Sequence, residues 1–165
     1  MWLTRITSNS SFIMTEAKTF PLETLPEATA SVDYAMEIET VIASLAEDQK
    51  VLVGQEGNSH IWKFKYGSVQ VFVQLTGGTE EDTLTVWSPV LKLPAKNEGE
   101  LMRGLLEMNW ANTFEACFGI FNNEVVVLAS RTVADLNPGE ISRSITVVAT
   151  IADDHDEALQ SEFGQ

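Results

Sequence analysis

Residues 93–140 read LPAKNEGELMRGLLEMNWANTFEACFGIFNNEVVVLASRTVADLNPGE, and the fold turns on this stretch. Its hydrophobic period changes from helical to alternating and back. Asn97 with Glu100 three residues later has the spacing of a capping box. Behind it, Leu101, Leu105 and Met108 recur at helical spacing, flanked by Met102 and Leu106, which predicts an amphipathic helix from Asn97 to Asn109. The period then drops to two: Phe114, Ala116, Phe118 and Ile120 alternate up one strand, and Val125, Val127 and Ala129 come back down the next. Between them lies Asn122-Asn123, a pair that tolerates the positive φ angles of a tight hairpin turn. Asn137-Pro138-Gly139-Glu140 then opens a second helix, with a cap, a proline at the first helical position and an acid at the third. Its buried stripe is Ile141, Ile145, Val148 and Ala152. The acidic run Asp153–Glu157 beyond it is expected to fray into solvent, with residues 161–165 as a tail.

Upstream, Ser31 is a plausible cap for a helix whose stripe is Ala35, Ile38, Ile42 and Leu45, widened by Met36 and Val41. Val51-Leu52-Val53 is a short strand ended by Gly54 and the turn residues Glu56-Gly57-Asn58. Residues 60–66 alternate, with Trp62, Phe64 and Tyr66 on one side and Ile61, Lys63 and Lys65 on the other. Gly67-Ser68 suits a type II′ turn leading into Val69, Val71, Val73 and Leu75. A further strand runs from Leu84 to about Leu91, where Pro89 predicts an edge position or a bulge. The element order is therefore α-β-β-β-β-α-β-β-α. With no β-α-β rhythm, the fold class is α+β: an antiparallel sheet with three helices packed on it. The organisation expected is a flexible N-terminal arm over residues 1–30, in which Met14 is an alternative start to Met1, and a single domain over 31–160.

The chain has 165 residues, 44% of them hydrophobic, enough for one proper core. Its formal charge of −14 arises from 24 acids against 10 Lys and Arg. Such a field repels phosphate backbones and anionic bilayers, so neither nucleic acid nor membrane is an expected partner. No run approaches the ~18 apolar residues of a membrane span, and the N-terminus lacks the apolar stretch of a signal peptide, so a cytoplasmic location is expected. A single cysteine, Cys117, fits a reducing compartment and reads as a buried structural thiol.

Chemistry-bearing patterns are scarce. Gly77-Gly78 is followed by Glu80, Glu81 and Asp82 rather than Lys-Ser/Thr, so it is no phosphate loop. Asp153 and Glu157 share a helix face, but an acidic terminus in water is far commoner than a divalent-ion site. Arg131 is expected to pair with a surface acid. Neither His60 nor His155 is placed to serve Cys117 as a base. No catalytic, cofactor-binding or metal-binding residue is assigned, and an enzyme is not expected.

The aromatics carry more. Trp62, Phe64 and Tyr66 share one strand face, while Phe72 and Trp87 lie out of phase with Val71 and Val86 on theirs, and Cys117, Gly119 and Phe121 alternate with Phe118 and Ile120. A half-solvated sheet should alternate apolar with polar, yet several strands are apolar on both faces. Either a helix crosses behind the sheet, or the second face meets a protein, a copy of the chain or a client. Trp62, Phe64, Tyr66, Phe72 and Trp87 are the candidate partner-binding residues.

The run from Val86 to Leu159 resembles the YbjN family of bacterial proteins, which share the fold of type III secretion chaperones such as the Tir chaperone. The resemblance rests on Ser88-Pro89-Val90-Leu91-Lys92-Leu93-Pro94 leading into a helix, on Leu105-Leu106-Glu107-Met108-Asn109, on Phe114 to Ile120, on the Asn-Asn turn with Glu124-Val125-Val126-Val127-Leu128, and on the helix from Asn137. It implies a homodimer that binds an extended segment of a partner protein on an apolar surface, without implying a secretion client. The expected function is a non-catalytic, chaperone-like protein-binding module. The alternative is a small-ligand-binding regulatory or sensory domain with a pocket at the Trp62–Trp87 region.

Overall fold

The computed structural model describes residues 33–46 and 50–165. The expected arm over 1–30, the cap at Ser31 and the Met1/Met14 question lie outside the described residues. The elements are α1 (Tyr34–Leu45), β1 (Leu52–Glu56), β2 (Ser59–Tyr66), β3 (Val69–Leu75), β4 (Thr83–Lys92), α2 (Glu98–Ala111), β5 (Cys117–Phe121), β6 (Glu124–Thr132) and α3 (Pro138–Phe163). The strands form one antiparallel sheet in the order β1-β2-β3-β4-β6-β5, so the class is α+β in the predicted element order.

The sheet has one covered and one open face. On the covered side Trp62, Phe64, Val71, Val73, Leu84, Val86, Val125 and Val127 are buried. Above them α3 crosses β3, β4 and β6 and packs on α1, which rests on β2, while α2 packs against β5. Ile38 and Ile42 of α1 and Ile141, Ile145, Val148, Ala149 and Ala152 of α3 complete this core. Each larger side chain contributes roughly 1.5–3 kcal/mol of burial before entropy is charged.

Polar contacts fix the layers. Trp62 Nε1 donates to Glu39 Oε1 of α1 at 3.2 Å, and the buried Ser88 hydroxyl donates to the Gln70 carbonyl at 2.9 Å. The β2–β3 turn has positive φ at Gly67, as a type II′ turn requires. The backbone N–H and hydroxyl of Ser68 both donate to Asp153 Oδ1 of α3, at 2.7 and 2.9 Å, and the hydroxyl also lies 2.9 Å from Asp156 Oδ1. Asn122 and Asn123 both have positive φ, the two-residue turn expected between β5 and β6.

Several expectations need correction. The capping box forms at Asn137, where Glu140 N donates to the Asn137 side chain and Glu140 returns the bond. It does not form at Asn97, which is left-handed with no side-chain cap bond; Glu98 Oε1 instead accepts from the Ala95 N–H. α3 does not fray at the acidic run. It continues to Phe163, because Asp156, Leu159 and Phe163 keep the stripe buried, so residue 161 begins inside the helix rather than a tail. β5 starts at Cys117, and Phe114, with φ of 52°, stands exposed in the preceding loop. Pro89 sits in a central strand beside a register shift between Pro89 and Leu91, the bulge rather than the edge.

Candidate partner-binding surface

Pairing registers bring one side chain from every strand into a single row across the open face: Leu52, Lys63, Phe72, Trp87, Leu128 and Cys117. Phe72 and Trp87 stack with centroids 5.2 Å apart and planes 9° apart, and Phe121 meets Trp87 edge-on at 6.0 Å. At the other end Lys63 Nζ lies 5.2 Å from the Phe72 ring centroid, a cation–π arrangement. Gly119 makes room for this surface: a Cβ there would come within 2.8 Å of Leu128 Cδ2. Val126 is buried on this side although no described helix covers it. Trp87, Phe121, Val126 and Leu128 line a shallow cleft of about 240 Å³ with Gln74 and Thr85 on its wall.

The open face also differs electrically from the rest of this acidic chain. Its side chains across the middle rows are Ile61, Lys63, Lys65, Gln70, Phe72, Gln74, Thr85 and Trp87, with two lysines and no acid. The arrangement can hold an apolar segment and offers an ammonium group to an acid on it.

The five predicted residues are not one surface. Trp62 is 0% exposed and Phe64 is buried beneath α1 and α3, and Tyr66 packs partly buried against the same core, so this triplet cannot meet a partner in the folded domain. Phe72 and Trp87 do lie on the open face, half-buried. No pocket joins the Trp62–Trp87 region, because the two rings are on opposite faces of the sheet. Phe121, Val126 and Leu128 complete the surface; the out-of-phase alternation of Cys117, Gly119 and Phe121 was their sequence signal.

A second apolar feature lies on α2. Leu106 and Trp110, four residues apart, face outward, with Trp110 93% exposed, and Phe114 follows at 82%. Beside it Asn109 takes both backbone groups of Phe118, accepting from its N–H at 2.6 Å and donating to its carbonyl at 3.2 Å. That side-chain amide occupies bonding positions on the free edge of β5.

Cys117 is exposed on the open face rather than buried. The His155 ring packs edge-on against Phe118, on the covered face, so the thiol and this imidazole are separated by the sheet. Arg131 pairs with Glu140 at 2.9 Å, as a surface arginine was expected to do. Three carboxyls are held below their ordinary range: Asp82 by Thr79 and Thr76, Glu115 by its bond from Arg143, and Glu140 by the Asn137 backbone and Arg131. Among the described residues no group of three or more His, Cys, Asp or Glu converges to hold a metal, and no helix is long and apolar enough to cross a membrane.

A sequence model of the YbjN family, described as "Putative bacterial sensory transduction regulator", matches residues 35–161. No curated protein matches the chain. Among solved structures, "Crystal Structure of the ExsC-ExsE Complex" aligns with a TM-score of 0.48 and 16% identity, covering 77% of this chain and 96% of that one.

Proposed function

The chain belongs to the YbjN family, and from that premise we propose that it is a non-catalytic, chaperone-like module that holds an apolar segment of a client protein on the open face of its sheet. The observation that carries the reading is the aromatic row: Phe72, Trp87 and Phe121 are preassembled by stacking on a face that no described helix covers. Rings already held in place lose little freedom on binding, so their burial is returned as affinity. The edge of β5 is a poorer site, because Asn109 occupies the backbone groups of Phe118 that an added strand would need.

The module acts as a homodimer, with Leu106, Trp110 and Phe114 as the self-association patch, separate from the client face. It works in the cytoplasm, where an exposed lone thiol such as Cys117 stays reduced. Nucleic acid and membrane are not partners, given the −14 charge.

Photocrosslinking in the source cell tests this reading. Replacing Phe121 with p-benzoylphenylalanine gives an adduct with a discrete second protein, while the same replacement of Trp110 gives the chain's own dimer. Adducts from position 121 that contain only the chain itself would make the open face the self-association surface and end the client reading.

A further inference from the structure

A second cleft, of about 300 Å³, lies on the covered side of the sheet, between the C-terminal end of β6 and the first turns of α3. Its apolar lining is Leu84, Ala129 and Val147. Two ion pairs flank it: Arg131 Nη1 with Glu140 Oε1 at 2.9 Å, and Arg143 Nε with Glu115 Oε1 at 2.8 Å. The first pair is the less exposed, at 39% and 34% of the side-chain areas against 62% and 60% for the second. The helical spacing of Glu140, Arg143 and Val147 puts all three on one face of α3.

The ion pairs leave hydrogen-bonding capacity unused. A guanidinium has five N–H donors, and the described contacts engage one nitrogen of each arginine. Glu140 is spent, since its Oε2 accepts from the backbone and side-chain nitrogens of Asn137 at 3.1 and 2.9 Å. Glu115 takes the Arg143 bond on Oε1 and a bond from its own backbone N–H, which leaves lone pairs free on a 60% exposed carboxylate. The cleft therefore offers donors to a carboxylate from both arginines, an acceptor to an ammonium from Glu115, and a small apolar floor. Its formal charge is balanced, two arginines against two glutamates. A bare anion meets two carboxylates there and a bare cation meets two guanidiniums, so a ligand with both charges is the best match.

We propose that this cleft binds a free amino acid with an aliphatic side chain: carboxylate on Arg131 and Arg143, ammonium on Glu115, and side chain on Leu84, Ala129 and Val147. The cleft volume is at the small end for ligand sites, which suits a ligand of this size. The site lies on the other side of the sheet from Phe72 and Trp87, so this inference does not depend on client binding there.

The experiment is isothermal titration of the full chain with the proteinogenic L-amino acids, with 4-methylpentanoate and isoamylamine as the two half-ligands of leucine. Leucine, isoleucine, valine or methionine binds, glycine and both half-ligands bind at least about tenfold more weakly, and Arg131→Gln and Arg143→Gln each weaken binding by about tenfold or more, the usual effect of losing a charged hydrogen bond. Val147→Phe, which fills the cleft, abolishes the heat. Three results would overturn the proposal: no heat from any aliphatic amino acid, equal binding of a half-ligand, or binding that survives both arginine substitutions unchanged.

Discussion

Phe72 of β3 and Trp87 of β4 are cross-strand partners whose rings stack nearly parallel, 9° apart, on the open face of the sheet. The stack is half-exposed, so its loss costs less stability than affinity. Trp87→Ala should leave a folded domain destabilised by about 1–2 kcal/mol. It should weaken client binding by about 30-fold or more, the loss typical of a central aromatic anchor. Thermal melts and titration with the crosslinked client measure the two effects.

Trp62 should behave oppositely. It is fully buried and bonded to Glu39, so Trp62→Asp puts an unpaired carboxylate into the core, at a cost of several kcal/mol. Loss of near-ultraviolet circular dichroism and of a cooperative melt is the expected outcome. A folded, soluble variant would contradict this placement of the ring.

Trp110→Glu should separate the protomers without harming the fold. The side chain is almost wholly exposed, so the change in stability stays within about 0.5 kcal/mol. If the proposed self-association patch is right, light scattering should report a dimer for the parent chain and a monomer for this variant.

Ser68→Ala removes the only donor that Asp156 finds among the described contacts, and Asp156 is 5% exposed. The hydroxyl has one hydrogen to give, and Asp153 already accepts the Ser68 backbone N–H, so Asp156 is the carboxylate that depends on it. The variant should lose about 1–3 kcal/mol in urea unfolding.

Acid should weaken the fold over a defined pH range. Glu115 and Glu140 are held below their ordinary value of 4.5, and Asp82 below 3.8. Folded-state values lower than unfolded ones mean stability that is complete above the ordinary values and is lost as pH falls through them toward the lowered ones. The urea midpoint should therefore hold steady down to about pH 5 and decline below it. Arg143→Gln should shrink that decline by removing the cause acting on Glu115.

The elements themselves were readable because each carries a local signal. Alternation in residues 60–75 and 117–128, positive-φ turn residues at Gly67 and Asn122-Asn123, and the Asn137–Glu140 box all report backbone geometry within a few residues. Which apolar face was covered was not readable. In β2 Lys63 and Lys65 mark the side opposite Trp62, whereas in β4 Val86 and Trp87 leave both sides apolar. Only the path of α3, set by contacts far away in sequence, decides that Val86 is core and Trp87 surface. The end of α3 was missed for the same reason. Its acids look solvated by composition, while Asp156 is held by Ser68, a residue on a hairpin 88 positions earlier. At Asn97 the capping spacing was present, but the chain enters α2 in a left-handed conformation, which turns the side chain away from its cap role.

The position of α3 also bears on how the protein is made. This 26-residue helix roofs β3, β4 and β6, yet it leaves the ribosome after all of them. Without it the sheet would be apolar on both sides, with Val71, Val86 and Val127 bare on one and Phe72 and Trp87 on the other. A chain ending before Pro138 would keep the strands but lose their roof, and should aggregate or be cleared by proteolysis rather than survive as a partly working product.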